Sequence, residues 1–294
     1  MKTTHSLQGS ITALVTPFKK NGQVDYARFK SQIEYQIQNG TEGLVPCGTT
    51  GESPTLSHEE HDRVIEVAVE TARGRVPVIA GTGSNSTDEA IRLTQYAKKV
   101  GADFTLNVVP YYNKPTQEGL YRHFEAIAKK TKLPMVLYNI PGRSGVGLTA
   151  ETIERLSKID VIVAIKEASG SMDMASDVLL RTRLTVLSGD DSLTVPLLSL
   201  GAKGVISVIA NAYPADVARM VRSYLMGRAE EARSLHYRLF RLSRVMFIET
   251  NPIPIKTALR ILGRDSGILR LPLCSMMEKN VELLQKEIAV YQEK

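Results

Sequence analysis

The sequence predicts an α/β chain folded as a (β/α)8 TIM barrel with a C-terminal helical appendage. Three observations carry that expectation. Short apolar, β-branched runs alternate with amphipathic stretches of helical period, and eight such units of about 25 residues each fill positions 1–226. No GxGxxG follows the first apolar run, which disfavours a doubly wound open sheet. From Gly227 the pattern changes to helix after helix with no low-complexity linker between, so 227–294 reads as a helical region packed on the barrel or on a partner subunit.

Each unit has its own signals. Ile11–Phe18 reads as a strand closing at Pro17, and Asp25 caps a helix over Tyr26–Gln38 that ends at Asn39-Gly40. Gly43–Cys47 is a second strand, followed by the loop Gly48–Ser53. Ser57 and Glu60 form a capping box for a helix to Arg73. Val76–Ala80 is a strand, and Ser86 or Thr87 caps a helix through Lys99. Phe104–Val109 and Pro134–Asn139 are strands, with helices over Gln117–Lys130 and Ala150–Ser157. Then come strand Val161–Glu167 with helix Met172–Leu180, strand Leu184–Ser188 with helix Leu193–Leu200, and strand Gly204–Ile209 with a helix from Pro214 toward Leu225. Beyond the barrel, helices are expected over Ala229–Phe247, Pro254–Leu262 and Cys274–Tyr291, with Pro252 and Pro254 breaking the first from the second.

Composition narrows the function classes. The chain has 294 residues, 43% hydrophobic and 23% charged, ample for a globular core. No apolar run approaches the ~20 residues needed to cross a bilayer. The opening MKTTHSLQGSITALVTPF lacks an apolar h-region, and Cys47 and Cys274 stand alone, so a cytoplasmic location is expected. The net charge of +6 is scattered, without basic runs or interleaved aromatics, which argues against nucleic acid as a partner.

Val161–Gly170 (VIVAIKEASG) carries the chemistry. Alternation along a strand puts Ile162, Ala164, Lys166 and Ala168 on one face and Val161, Val163, Ile165 and Glu167 on the other. Burial among aliphatics disfavours an ammonium, leaving more of the neutral amine that attacks carbonyl carbons. The plainer alternative is a lysine that marks the strand end or pairs with Glu167. Other chemistry-bearing residues fall at the same carboxyl ends, where barrel enzymes place their sites. They are Thr49-Thr50-Gly51-Glu52, Tyr111-Tyr112, Tyr138-Asn139, Arg143, Gly189-Asp190-Asp191 and Asn211.

The Thr-Thr turn suits an anion nest but is no Walker loop. Arg143, in Pro141–Gly145, suits a bidentate grip on a carboxylate. Tyr138 either presents its hydroxyl at the mouth or fills the barrel. Asp190-Asp191 fits a Mg²⁺ pair or a helix cap. His58 and His61, three apart, miss the HExxH zinc spacing and read as a surface pair, so no metal site is expected.

Taken together, the motifs resemble the dihydrodipicolinate synthase (4-hydroxy-tetrahydrodipicolinate synthase) family, within the pyruvate-lyase superfamily that includes N-acetylneuraminate lyase. They are GTTGES at Gly48–Ser53, PYYN at Pro110–Asn113, YNIPGR at Tyr138–Arg143, IKEA at Ile165–Ala168, SGDD at Ser188–Asp191, GVIS at Gly204–Ser207 and NPIPIK at Asn251–Lys256. The resemblance implies that Lys166 forms a Schiff base with pyruvate and the resulting enamine attacks L-aspartate semialdehyde. It makes Tyr138 the proton donor and acceptor, relayed through Thr49 and Tyr112, with Tyr112 reaching in from a neighbouring subunit of a tight dimer within a homotetramer. Thr50, Ile206 and Gly189 would line the pyruvate site, Thr50 holding its carboxylate, and Arg143 would bind the semialdehyde carboxylate. No metal or organic cofactor is implied. L-Lysine, an inhibitor of many members, would sit at Ser53, His58, His61, Asn85, Glu89 and Tyr111, although Pro54 departs from lysine-sensitive members. An aldolase acting on a sugar acid, and a catalytically silent binding barrel, are the rival readings.

Overall fold

The computed structural model describes residues 7–293. Eight parallel strands follow one another: β1 (Gly9–Ala13), β2 (Gly43–Val45), β3 (Ile79–Gly81), β4 (Phe104–Val108), β5 (Met135–Asn139), β6 (Ile162–Glu167), β7 (Thr185–Ser188) and β8 (Gly204–Ser207). Their order, β2-β1-β8-β7-β6-β5-β4-β3, leaves β2 and β3 to close the ring. They do so through a single parallel bridge, Leu44 to Val78, with Leu44 N–H on the Pro77 carbonyl at 3.0 Å and Gly81 N–H on that of Pro46 at 2.9 Å.

Helices α1 (Tyr26–Gln38), α2 (His58–Ala72), α3 (Thr87–Val100), α4 (Gln117–Thr131), the single turn α5 (Pro141–Ser144), α6 (Ala150–Leu156), α7 (Met172–Arg181), α8 (Thr194–Leu200) and α9 (Pro214–Leu225) accompany the strands. The caps expected at Asp25, at the Ser57–Glu60 capping box and at Ser86 are present, and Thr116, Thr149 and Ser171, not named from the sequence, cap α4, α6 and α7. Strand alternation divides the core into two layers. Ile11, Val45, Ile79, Leu106, Val136, Ala164, Leu187 and Ile206 fill the barrel. Met135, Leu137, Ile165 and Val186 face outward onto Phe124, Ile127, Ile153 and Val178.

Several boundaries differ from the expected ones for physical reasons. The ladder of β1 stops at Ala13, because the Val15 N–H donates to Asn211 Oδ1 at 3.1 Å rather than to a strand carbonyl, and Phe18 beyond it bridges Val24 in antiparallel fashion. The ladder of the third strand with β4 begins only at Ile79, and Val78 before it makes the bridge to Leu44. Ile162 does not share the Lys166 face. A bulge sets Ile162 opposite Met135 but Ala164 opposite Val136, so Ile162 packs in the helix layer while Val163 lies against the barrel interior. Pro141–Ser144, which carries Arg143, is a single helical turn.

The remaining chain forms α10 (Ala229–Val245), α11 (Ile253–Ile261) and α12 (Glu278–Gln292), the last starting four residues after the expected Cys274. These helices share one apolar core with the β8–α9 flank, where Val205, Val217 and Met220 meet Leu235, Leu239, Ile255, Leu284 and Ile288. Among the described residues no helix is long and apolar enough to cross a membrane.

Candidate active site

Lys166, next to last in β6, points into the mouth of the barrel and is 5% exposed. Its Nζ lies 4.3 Å from the centre of the Tyr138 ring, on the neighbouring strand and paired in register with it. Glu167 takes the opposite face, where it accepts from Asn139 Nδ2 at 3.0 Å and Ser169 N–H at 2.6 Å, so it is not the lysine's partner. Burial pushes the Lys166 amine down to about 8, offset in part by Asp191 and Asp190 and reinforced by the Arg143 charge. Burial likewise pushes the Tyr138 phenol up to about 12, against the pull of Arg143 and the Thr49 hydroxyl. A part-neutral amine and a protonated phenol therefore face each other at neutral pH.

The Thr-Thr turn closes one side of the pocket. The amides of Gly51, Glu52 and Ser53 bond to the loop's own Gly48 and Thr49 carbonyls, whereas those of Thr49 and Thr50 donate to no backbone carbonyl among the described residues. That is an arrangement for receiving a carboxylate. Behind it, Glu52 and Lys256 form an ion pair of 2.6 Å with neither side chain exposed, and Lys256 also donates to the Thr16 carbonyl at 2.9 Å. Arg143 lies at the rim, donating to the Asn251 carbonyl at 3.3 Å. Gly189 leaves the lysine room, since a Cβ there would stand 3.1 Å from Lys166 Cε. Ile206 is a buried barrel residue of the same interior.

Asp190 is a cap, accepting from Ser192 N–H at 3.0 Å, and Asp191 is buried, accepting from Val208 and Ile209 N–H at 3.0 Å each. Asn211 is structural: it ties Ala13 and Val15 of the first unit to the loop after β8. Among the described residues no cluster of three or more His, Cys, Asp or Glu is placed to hold a metal.

A cavity of about 500 Å³ runs from Thr49, Tyr138 and Arg143 to Ser53, His58, His61, Glu89 and Tyr111. His58 meets Glu89 at 3.0 Å, and Asn85 holds the Tyr111 carbonyl at 3.2 Å. The expectation of a surface histidine pair fails for His61, which is buried because α2 turns that residue toward the barrel; burial lowers it to about 4. Tyr112 does not join Tyr138 within the chain. It has φ +72° and is 88% exposed.

Two site residues escaped the rim inventory: Asn251 and Phe247, which line the pocket around Lys166 from the C-terminal helical region. The lone Lys256 within the apolar stretch Ile253–Leu259 is the sequence trace of that contact.

A profile of the Dihydrodipicolinate synthetase family matches residues 6–290. The chain belongs to the dihydrodipicolinate synthetase family. A 4-hydroxy-tetrahydrodipicolinate synthase of Syntrophobacter fumaroxidans is 57% identical over 287 residues, 97% of this chain and 98% of that one. Among solved structures of the family, the dihydrodipicolinate synthase of Aquifex aeolicus superposes with a TM-score of 0.95 at 51% identity, covering 97% and 98% of the two chains. That of Cyanidioschyzon merolae with lysine bound superposes with a TM-score of 0.94 at 43% identity, with the same coverage.

Proposed function

We propose that the chain condenses pyruvate with L-aspartate semialdehyde to give 4-hydroxy-tetrahydrodipicolinate, the first committed step toward diaminopimelate and lysine. The observation that carries this reading is the buried Lys166 amine, lowered to about 8 and set 4.3 Å from the Tyr138 ring at the carboxyl ends of the strands. The neutral amine adds to the pyruvate carbonyl carbon and water leaves, forming an iminium. The iminium draws electrons from the methyl C–H bond, and the proton lost leaves a nucleophilic enamine. The enamine carbon bonds to the semialdehyde carbon, whose oxygen takes a proton. The substrate's amino group then attacks the iminium carbon and expels Lys166, so one water is lost overall.

Tyr138 is the proton carrier, relayed through Thr49 and through Tyr112 of a second copy. Thr50, Ile206 and Gly189 shape the keto-acid pocket, and Arg143 takes the semialdehyde carboxylate. The exposed Tyr112 is free to reach the site of a second copy, in the tight dimer within a homotetramer that the family resemblance implies. Barrel 1–226 supplies the reaction and 227–294 completes its rim. Ser53, His58, His61, Asn85, Glu89 and Tyr111 form an L-lysine inhibitory site, whose ammonium would find Glu89. Titration with millimolar lysine tests this last point, and an unchanged rate overturns it.

For the reaction itself, the protein is incubated with pyruvate and borohydride, and the added mass is mapped. The reading requires it on Lys166. A protein that stays unlabelled refutes it.

A further inference from the structure

We propose that Asn251 is a positioning residue that aims the Thr50 hydroxyl proton into the pocket, where the carboxylate of the keto acid receives it. The inference rests on the pyruvate reading above. The Asn251 side chain reaches across the pocket from the C-terminal region, 201 positions away in sequence, and its Nδ2 donates to Thr50 Oγ1 at 2.9 Å. A hydroxyl whose oxygen accepts from an amide keeps its own proton free to donate. The proton then adds to the unengaged amides of Thr49 and Thr50, giving the turn a third donor.

The amide's orientation follows from what surrounds it. Asn251 is 5% exposed, and its Oδ1 has no hydrogen-bond partner among the described residues. The reverse orientation would leave both N–H donors of the amide without a partner, where the present one leaves a single N–H and the Oδ1 acceptor, and it would consume the Thr50 proton. The far end of the turn is pinned separately, by Thr16 Oγ1 donating to the Gly51 carbonyl at 2.7 Å and by the Glu52–Lys256 pair. Asn251 thus governs the hydroxyl rather than the loop, and its backbone carbonyl additionally holds Arg143.

The test compares Asn251→Asp and Asn251→Ala with the wild type. The aspartate keeps the shape but only accepts, so it captures the Thr50 proton and adds like charge beside the bound carboxylate. The expected result is a KM for pyruvate raised roughly 10- to 100-fold in Asn251→Asp and less in Asn251→Ala, the range of one hydrogen bond to a charged group. kcat should change only a few-fold, and borohydride should still label Lys166 at saturating pyruvate. In a Thr50→Val background the Asn251→Ala effect on KM should vanish. That cycle carries the test should the aspartate variant not fold. Loss of melting temperature or of labelled sites with KM unchanged, or additivity in the cycle, overturns the proposal. If wild-type protein traps no pyruvate, the functional reading itself fails. If it traps pyruvate and the variants keep their KM, only the role of Asn251 does.

Discussion

At the scale of single residues, function and stability pull against each other at Lys166. Its folded pKa of about 8 lies below the unfolded value of ~10.4. Between those values the unfolded chain holds a proton that the folded chain has released, so stability rises with pH across that window. Below pH 8 the full cost of burying the ammonium acts. Lys166→Met should therefore raise stability at neutral pH by about 3 kcal/mol, read in urea, while abolishing pyruvate trapping. Lys166→Arg should keep the fold and lose nearly all turnover, because a guanidinium supplies no free amine. The rate of adduct formation in the wild type should climb with pH and level off above about 8; a flat profile from pH 6 to 9 would contradict the assignment. Arg143→Ala separates the two substrates. Pyruvate trapping should persist and semialdehyde turnover should fall by 100-fold or more, on the order of the worth of a bidentate charged pair. A sugar-acid aldolase would lose no such turnover.

At the scale of elements, the weak seam is between β2 and β3, each three residues long and joined by one bridge. Gly81 makes that approach possible, since a Cβ there would stand 2.3 Å from the Cys47 carbonyl oxygen. Gly81→Ala should push β3 away from the chain leading into the Thr-Thr turn, costing about 1–3 kcal/mol of stability in denaturant unfolding. It should also raise the KM for pyruvate, because Gly48 and the two threonines follow Cys47 directly. The bulge in β6 acts on the other wall of the site. By placing two residues opposite one, it restores the alternation that carries Ala164 and Lys166 inward while Ile162 covers the helix layer.

At the scale of the whole molecule, the C-terminal helices and the barrel are fastened by a buried charge. Lys256 and Glu52 are 204 positions apart and fully buried, and Lys256 also lies 4.2 Å from the centre of the Phe18 ring. Removing one partner leaves the other charge uncompensated, so Lys256→Met should cost about 3–5 kcal/mol. The double variant Glu52→Gln, Lys256→Met should recover much of that loss, as measured by thermal unfolding. Tyr112 carries a prediction about assembly. Tyr112→Phe and Lys166→Arg chains, each nearly inactive alone, should on mixing and reassembly regain about a quarter of the wild-type sites, the share expected when each intact site draws on two copies. No recovery would place Tyr112 outside the reaction.

Local chemistry alone determined much of this protein. Hydrophobic period counted the eight strand–helix units, short polar side chains marked the caps, and the strand-end rule gathered Lys166, Tyr138, Thr49 and Arg143 at one rim, because these signals act over a few residues. Tertiary structure decided what depends on partners distant in sequence. His61 is buried and Ile162 faces the helices because of what packs beside them, and neither fact has a local signal. Asn251 and Lys256 complete a site begun 200 residues earlier. Most decisively, an amine becomes a nucleophile only where the whole fold excludes water from it, and that exclusion belongs to the closed barrel, not to the strand that carries Lys166.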